Sequence, residues 1–582
     1  MKATVEKCEE TAKGSGLFLL ELFPWGSLFK VEPGQFITLA PLNPFSVMPR
    51  PFSIYSVSPI GDRISILIKV AGPNTEAYAH LKAGDEIEIS EPKGNPIPLD
   101  LAAGSYILVG GGIGGAALML LAKKLGKEGK TVKFLLGVKT PNQIFGIKEL
   151  EHTGCHFQTI AEKDAARTGL ATDLLKEVLI KNEGKSTIIA CGPIVMLKQI
   201  VEMAERNSNY CLVLLEEIMA CGVGSCKGCV VFGKDETTKY VCKDGPAFDA
   251  SWVDWERLTR RYEVVPLPRS EKVEDPLKTI LVGQNGRTLE LPSPIMNASG
   301  CLDTKAIRRN EVDITHAGAL VTKAVTLQER SGNEGPRVCE VAAGMLNSIG
   351  LANVGIIEFL QKDLPDWLNF NLPVIVNIAG FSVDDYGELA FQLASTKATA
   401  LEVNVSCPNV THGGMAFGTN PKQTDRVVRS VRESAPDKFI IVKLTPVAGI
   451  QIVKVAEAAV KAGADAISAI NTLPGMAIDV YTRKPKIGRG FGGMSGPAIH
   501  PHAVKVVYDL AQADLGIPII GIGGISDGES AMQAILAGAS AVQVGTALFR
   551  NEKAMSEIHN FLPEMVSYHQ VSHIRDLVGQ GG

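Results

Sequence analysis

The 582-residue chain is narrowed first by what it has little of. Net charge is almost absent, with 58 Lys and Arg against 62 Asp and Glu, a balance of −4. No broad basic field exists to grip a phosphate backbone or an anionic lipid surface, which argues against nucleic-acid and membrane partners. A secretory leader is not evident either, because Glu6, Glu9 and Glu10 stand where its apolar region would lie. The expected location is cytoplasmic. Long apolar runs are few. Residues 101–122 and 530–549 lack charge, but the first holds six glycines and the second passes from an Ala-rich helical pattern to the strand-like AVQVGTALF, so each reads as a buried strand plus a helix. Aromatics make up only 6%, whereas glycines number 59, a balance suited to α/β architecture with tight turns and close backbone approach to phosphates. The eleven cysteines are odd in number and four crowd into residues 221–242, unlike a secreted disulfide scaffold.

At roughly 100–200 residues per domain, the length implies three to five folding units. Residues 1–100 hold short alternating runs such as RISILIKV (63–70), separated by Gly, Pro and Asn turns, the pattern of a small antiparallel barrel. From 101 to 210 the strand SYILVG, a glycine cluster, a helical run and the strand TVKFLLGV form a βαβ start that continues to Cys191-Gly192-Pro193. Residues 211–265 contain the cysteine cluster. Residues 266–276 (PLPRSEKVEDP) combine three prolines with five charges and read as a linker. Residues 277–582 then repeat strand and helix, with eight apolar strands: PIMNASG, GALVTKAVT, LPVIVNIAG, ALEVNVSCPN, FIIVKLTP, ADAISAINT, IPIIGIGGI and AVQVGTALF. That number predicts a (β/α)₈ barrel, whose active site lies at the C-terminal ends of its strands.

Cys221, Cys226, Cys229 and Cys242 follow C-x₄-C-x₂-C-x₁₂-C. The first three match plant-type [2Fe–2S] spacing, and Gly222, Gly224 and Gly228 suit a loop that turns backbone N–H groups toward sulfur. Zinc is the alternative, but it favours two close cysteine pairs and only one is present. Upstream, Arg50-Pro51-Phe52-Ser53 opens a strand where an Arg and a Ser can hold a flavin, although an ordinary strand start would look the same. Gly110, Gly112 and Gly115 satisfy G-x-G-x-x-G between strand and helix. In the order barrel, nucleotide fold, Cys-Gly-Pro and iron–sulfur loop, residues 1–265 resemble the ferredoxin-reductase family, and within it the electron-transfer subunit of class 1B dihydroorotate dehydrogenases. The resemblance implies FAD at Arg50, Pro51, Phe52, Ser53 and Thr75, NAD⁺ beside Gly110 to Gly115 and Cys191-Gly192-Pro193, and a [2Fe–2S] cluster on the four cysteines. Gly72-Pro-Asn-Thr75 departs from the family's G-x-G-T by placing Asn where a glycine is usual.

In the C-terminal half, Cys407 lies in Asn404-Val-Ser-Cys-Pro-Asn409 at a strand end, followed by the glycine-rich VTHGGMAFGTNP, a lid-like loop. A lone cysteine is usually inert packing, yet a thiol there can act as general base if its site favours the thiolate. Lys323 and Lys443 stand at strand mouths, where a reduced flavin would supply the missing anion. The motifs NASG, TKA, NSIGL, VNIAG, NVSCPN, VKLTP, INT, GGMSGP, GIGGI and VGTA resemble, in order, the catalytic subunit of class 1B dihydroorotate dehydrogenases over residues 277–582. This implies FMN at Ser299, Gly300, Lys323, Ala324, Asn377, Asn404, Lys443, Ile470, Gly496, Gly523, Gly524, Gly545 and Thr546. It implies substrate at Lys323, Asn347, Ser348, Ile349, Gly350, Leu351, Asn404, Asn471 and Thr472, with Cys407 as the base. Amide side chains suit a dihydropyrimidine ring, since both alternate donors with acceptors. Lys486-Ile-Gly-Arg-Gly-Phe491 departs from the family's usual Thr before the paired glycines.

The expected activity is oxidation of dihydroorotate to orotate in pyrimidine (UMP) biosynthesis, with electrons passing from FMN through [2Fe–2S] and FAD to NAD⁺. A homodimer through the barrel follows by analogy with related barrels. Two other readings stand beside it: a dihydropyrimidine dehydrogenase-like reductase, and a non-catalytic electron-transfer module fused to a flavin-binding barrel.

Overall fold

The structure, a computed structural model, describes residues 1–24, 30–42, 48–99, 104–151, 153–181, 184–260, 275–405 and 414–582. The chain divides into two compact units, Met1–Val264 and Val265–Gly582. The linker expected at 266–276 lies, as far as residue 274, outside the described residues.

In the first unit, a six-stranded antiparallel sheet runs in the order Phe36–Leu39, Arg50–Val57, Ile64–Lys69, Leu17–Pro24, Lys2–Glu10, Glu86–Glu88. Antiparallel bridges from Leu39 to Ile89 and from Phe36 to Lys93 join its edges. The alternation in RISILIKV does what period-2 patterning requires, turning Ile64, Ile66 and Ile68 into a core with Leu20, Leu22, Ile37 and Tyr78. A second sheet has the order Ala247–Asp249, Cys211–Leu214, Thr187–Cys191, Ser105–Gly111, Thr131–Val138, His156–Ala161. Its last five strands are parallel and Ala247–Asp249 is an antiparallel edge. This sheet therefore continues past residue 210 into the segment that carries the cysteines. The charge-free stretch 101–122 contains the strand Ser105–Gly111 and the start of helix Ala116–Lys127.

The second unit holds the eight expected strands as one parallel sheet: Ile295–Asn297, Leu320–Val321, Val374–Ile378, Ala400–Asn404, Phe439–Lys443, Ala466–Ala469, Ile519–Ile522 and Ala541–Val544. Each pairs with its neighbour in chain order, the eighth pairs with the first, and a parallel bridge from Met296 to Ala319 closes the ring between first and second. Asn297 reinforces that closure, since its amide donates to the Val321 carbonyl (2.8 Å) and accepts from the Val321 N–H (2.9 Å). Helices between strands begin on side-chain caps. Ser382 caps Val383–Ala394, Asn420 caps Pro421–Ser434 and Asp527 caps Gly528–Ala537. The stretch 530–549 is the body of that last helix plus the eighth strand and the turn Thr546–Phe549. Among the described residues no helix is long and apolar enough to cross a membrane.

The barrel interior is layered. Ile375, Ala400, Ile441, Ala466 and Ala541 form an apolar layer with Met296, Val321 and Ile520. Two residues further along the same five strands stand Asn377, Glu402, Lys443, Ser468 and Gln543, all buried. Because side chains on a strand repeat their facing every second residue, this makes a polar layer directly above an apolar one, toward the C-terminal mouth.

Candidate functional site

The polar layer is built around Glu402. One carboxylate oxygen accepts from Ser468 Oγ and Gln543 Nε2, both at 2.9 Å. The other accepts from Asn377 Nδ2 at 2.5 Å and lies 3.6 Å from Lys443 Nζ. Asn377 Oδ1 and Gln543 Oε1 are buried with no hydrogen-bond partner among the described residues. Orphaned acceptors are rare in folded interiors, and oriented acceptors at a barrel mouth fit a ligand carrying an N–H donor, as an oxidised isoalloxazine ring does at N3. Sequence reasoning named Asn377 and Lys443 but missed Glu402, Ser468 and Gln543. The signal available was a Glu inside the otherwise apolar strand ALEVN.

Three glycine turns expected to hold the flavin phosphate lie together. Gly496, Gly523 and Gly524 have φ of +104°, +127° and +68°, a region that glycine enters freely. A Cβ on Gly524 would stand 2.9 Å from the Gly496 carbonyl oxygen and 2.6 Å from His500 Cβ, so these two turns lie against each other. Thr546 Oγ1 and Ser495 Oγ are 2.7 Å apart, which draws the turn after Gly545 into the same group. His500 Nδ1 donates to the Gly523 carbonyl at 2.9 Å, orienting that turn. Beside the turn after the eighth strand, where a Cβ on Gly545 would lie 3.5 Å from Ala298 Cβ, Ser299 Oγ donates to the Thr322 carbonyl, tying Ser299 and Gly300 to the strand end that bears Lys323 and Ala324. Partial desolvation, with a smaller contribution from Arg337, lowers the Lys323 pKa, so an anion beside the ammonium would be welcome. Asn404 is buried, its carbonyl held by the Tyr386 hydroxyl at 2.9 Å. Ile470 follows the sixth strand and is buried.

Several of the residues expected at the substrate also lie close together. The strand Gly344–Asn347 pairs with Gly492–Ser495, and Asn347 Nδ2 donates to the Gly493 carbonyl at 3.1 Å. A Cβ on Gly493 would fall on Thr472 Oγ1, placing Thr472 against the same strand. Asn471 Oδ1 accepts from the Thr472 N–H at 2.8 Å. The turn from Ser348 to Leu351 is shaped by residues that sequence reasoning missed. Asn333 Nδ2 donates to Ser348 Oγ at 2.9 Å, the Asn333 N–H donates to the Ile349 carbonyl, and Arg330 Nε donates to the Gly350 carbonyl. Leu351 has a φ of +58°, unusual for a side-chain-bearing residue and costly by about 1 kcal/mol, as expected where a loop is held for function. Cys407 and Asn409 lie outside the described residues, as does the first part of the lid-like loop. The remainder is the short helix Gly414–Thr419 followed by Asn420 and Pro421, which cap and open the next helix.

In the first unit, the parallel strand order reverses between Ser105–Gly111 and Thr187–Cys191, the switch point where open α/β sheets bind nucleotides. Both expected nucleotide loops leave from it. A Cβ on Gly114 would lie 2.6 Å from the Cys191 carbonyl oxygen, and one on Gly110 would lie 2.6 Å from Gly115 Cα. Around Gly112, with φ +55°, the space is open. Arg50 to Ser53 form the half-buried first half of the strand Arg50–Val57. Arg50 Nη1 donates to the Met48 carbonyl, and among the described residues its guanidinium meets no carboxylate, leaving charge for a pyrophosphate. Thr75 behaves differently. Its hydroxyl accepts from the Ala71 and Gly72 N–H groups and donates to the Gly72 carbonyl, so it shapes its own turn.

The cysteine loop has the donor set of a cluster. N–H groups of Val223 and Cys226 point at Cys221 Sγ (3.5 and 3.4 Å), that of Gly224 at Cys242 Sγ (3.1 Å), that of Gly228 at Cys226 Sγ (3.4 Å) and that of Cys242 at Cys229 Sγ (3.4 Å). The N–H of Cys226, then that of Val223, bring the Cys221 thiol down to about 6. Burial pushes Cys242 up to about 12. Among the described residues no three His, Cys, Asp or Glu side chains gather as a single metal ion needs. The thiols instead fall into two pairs, Cys221 with Cys226 and Cys229 with Cys242, the latter sulfurs 3.2 Å apart. Two irons take thiolates in pairs, so the arrangement suits [2Fe–2S] ligation. A surface cleft of about 370 Å³ lined by Lys198, Glu202, Lys234 and Glu256 lies elsewhere, with charges of both signs on open ground.

A (β/α)₈ barrel with cationic mouth and glycine turns, on one chain with a switch-point nucleotide fold and a thiolate loop, defines a flavin- and iron–sulfur-dependent oxidoreductase. Comparison with known proteins makes this specific. Residues 283–566 match the dihydroorotate dehydrogenase family, and residues 216–254 match the iron–sulfur cluster binding domain of dihydroorotate dehydrogenase B. The chain is 44% identical over 291 residues to the catalytic subunit of dihydroorotate dehydrogenase B (NAD⁺) of Alkaliphilus metalliredigens, and 46% identical over 293 residues to that of Trichlorobacter lovleyi. Each alignment covers 50% of this chain and 95% of the relative. A solved NADH-dependent reduced ferredoxin–NADP oxidoreductase is similar over 44% of this chain and 92% of its own, at 26% identity and a TM-score of 0.41, too loose to carry an argument. The chain belongs to the dihydroorotate dehydrogenase family, type B.

Proposed function

We propose that this chain oxidises dihydroorotate to orotate and carries its own route for the electrons to NAD⁺. The observation that carries this is the presence, in one polypeptide, of a barrel 44% identical to NAD⁺-linked catalytic subunits and of their iron–sulfur binding domain. Bound to this chain, FMN supplies a hydride acceptor, the [2Fe–2S] centre a one-electron carrier and FAD a hydride donor to NAD⁺.

The residues divide the work. Gly496, Gly523, Gly524, Gly545 and Thr546 hold the FMN phosphate through backbone N–H groups, while Asn377, Asn404 and Lys443 face the ring and Ser299, Gly300, Lys323, Ala324 and Ile470 line its edge. Lys323 meets the substrate carboxylate, which offsets the desolvation that lowers its pKa. Asn347, Asn404, Asn471, Thr472 and the turn Ser348–Leu351 bracket the ring amides. Cys407 removes the proton from C5 as C6 gives up hydride, leaving the C5–C6 double bond of orotate. Arg50 to Ser53 hold FAD, Gly110, Gly112 and Gly115 receive NAD⁺, and the four cysteines ligate iron. The functional segments are 1–100 for FAD, 101–210 for NAD⁺, 211–265 for the cluster, a linker at 266–276 and 277–582 for the FMN barrel. The protein acts in the cytoplasm as a barrel-mediated homodimer, without nucleic-acid or membrane partners.

The test is cofactor content and half-reactions. Purified protein should carry about one FMN, one FAD and two irons per chain, and dihydroorotate, but not dihydrouracil, should bleach the flavin. Cys407→Ser should slow that bleaching by ~10²–10⁴ while NADH still reduces FAD. Unchanged bleaching would remove Cys407 as the base, and bleaching by dihydrouracil alone would overturn the substrate.

A further inference from the structure

The roles above make no use of Glu402, although the polar layer is organised by it. Its contacts are all donors: Asn377 Nδ2, Gln543 Nε2, Ser468 Oγ and, at 3.6 Å, Lys443 Nζ. A carboxylate accepts only, so it draws the NH₂ end of each amide toward itself. The carbonyl ends must then point away, and among the described residues Asn377 Oδ1 and Gln543 Oε1 are the two atoms of this layer left without a hydrogen-bond partner, His500 Nε2 beside the Gly523 turn being the third such buried atom. Burying an unpaired acceptor forfeits its hydration without a replacement, so a purely structural network would have paired them. Lys443 is the fourth element. Alone, its buried ammonium would put a full positive charge beneath any flavin, but Glu402 balances it.

We propose that Glu402 is a positioning residue for FMN, presenting the carbonyl oxygens of Asn377 and Gln543 to the ring and neutralising Lys443. This rests on the reading of the barrel as an FMN site. The oxidised isoalloxazine has one ring N–H, at N3, and a floor of oriented acceptors selects for it. The charge balance sets how strongly the site favours the reduced ring, because a reduced flavin develops negative charge that an uncompensated Lys443 would attract.

Glu402→Gln in the full chain tests this, since the replacement is isosteric but neutral and brings an NH₂ of its own. FMN and FAD are quantified after extraction, and the FMN potential is measured by equilibration with a reference dye. The expected result is loss of FMN relative to FAD, with the remaining FMN shifted about tenfold toward its reduced form, about +30 mV for a two-electron couple. A folded Glu402→Gln protein with the FMN content and potential of the unmodified protein would overturn the proposal. If Glu402→Gln does not fold, Gln543→Met removes one oriented acceptor and leaves both charges. Its FMN affinity should fall about tenfold with the potential unmoved, and unchanged affinity would overturn the proposal equally. Absence of FMN from the unmodified protein would instead overturn the function on which the proposal rests, and the proposal with it.

Discussion

Gly114→Ala is the sharpest probe of the electron exit, because the added atom has no room on the side where the two nucleotide loops meet. Its Cβ would stand 2.6 Å from the Cys191 carbonyl oxygen, 2.7 Å from the Cys191 carbonyl carbon and 2.8 Å from Gly192 Cα. All three are backbone atoms, so no side chain can rotate out of the way. Carbon–oxygen contacts settle at about 3.3–3.6 Å, so the loops must part by roughly 0.7 Å. Overpacking of this kind costs about 1–3 kcal/mol of stability. The functional cost is larger in proportion, since a misplacement near 1 Å at a reacting centre can cost on the order of 10²-fold. NAD⁺-linked turnover should therefore fall roughly 10- to 100-fold, about 1.4–2.7 kcal/mol of barrier. Stopped-flow reduction by each substrate separates the effects: NADH should reduce FAD slowly, while dihydroorotate bleaches FMN at the normal rate. Normal NADH reduction in a folded Gly114→Ala protein would refute the placement of the nucleotide between these loops.

Other perturbations address different parts of the chain. Cys226→Ala should abolish the iron absorbance and uncouple the two half-reactions, each of which persists alone; NAD⁺-linked turnover without iron would break the relay. Asp465→Asn should destabilise the barrel by about 3–5 kcal/mol, because the fully buried carboxylate pairs with Arg287 (2.9 Å) and Arg432 and accepts from the Ile440 N–H, and its loss leaves two largely buried guanidinium charges without their counter-charge. A melting curve would show it. His559, stacked on His316 at 4.0 Å, has its pKa lowered by burial and then by His316. The unfolded chain then binds more protons than the folded one below about pH 6.5, so stability should fall on acidification through that window and hold above it. His559→Gln should flatten that slope in pH-dependent urea unfolding, and an unchanged slope would assign it elsewhere.

The eight barrel strands were legible because fully buried parallel strands read as short apolar runs ending in glycine or polar residues, and every run named from sequence became a strand. The small barrel was legible from alternation, and the cysteine loop from spacing. Two kinds of feature were hidden. Sheet membership across residue 210 was not visible, because CLVL (211–214) announces a strand and says nothing of its neighbours. The supports of the turn Ser348–Leu351 were also hidden: Arg330, Asn333 and Arg337 lie in a charged stretch whose residues look like ordinary loop surface until Asn333 and Arg330 are seen binding the carbonyls of Ile349 and Gly350. Thr75 shows a further limit: its sequence position gives no sign that its hydroxyl holds its own helix start, accepting from the Ala71 and Gly72 N–H groups and donating to the Gly72 carbonyl.

Among the described residues the barrel buries two carboxylates, and their surroundings separate structure from function. Asp465, where the chain enters the sixth strand, spends both oxygens on two arginines and on the N–H groups of Gln284 and Ile440, all within the protein. Its position at the N-terminal end is where barrels keep groups that stabilise. Glu402, near the opposite end, is equally buried and equally satisfied, but two of its partners are not, for Asn377 and Gln543 each keep an acceptor unpaired. A buried ion pair such as Glu402–Lys443 gains little stability over well-packed apolar side chains, so stability alone does not account for it. The apolar layer one step below, with Ile375, Ala400, Ile441, Ala466 and Ala541, shows what the same strands use when packing is the only requirement. The two carboxylates should accordingly part under substitution. Neutralising Asp465 should lower the melting temperature and leave the flavin potential alone, whereas neutralising Glu402 should move the potential.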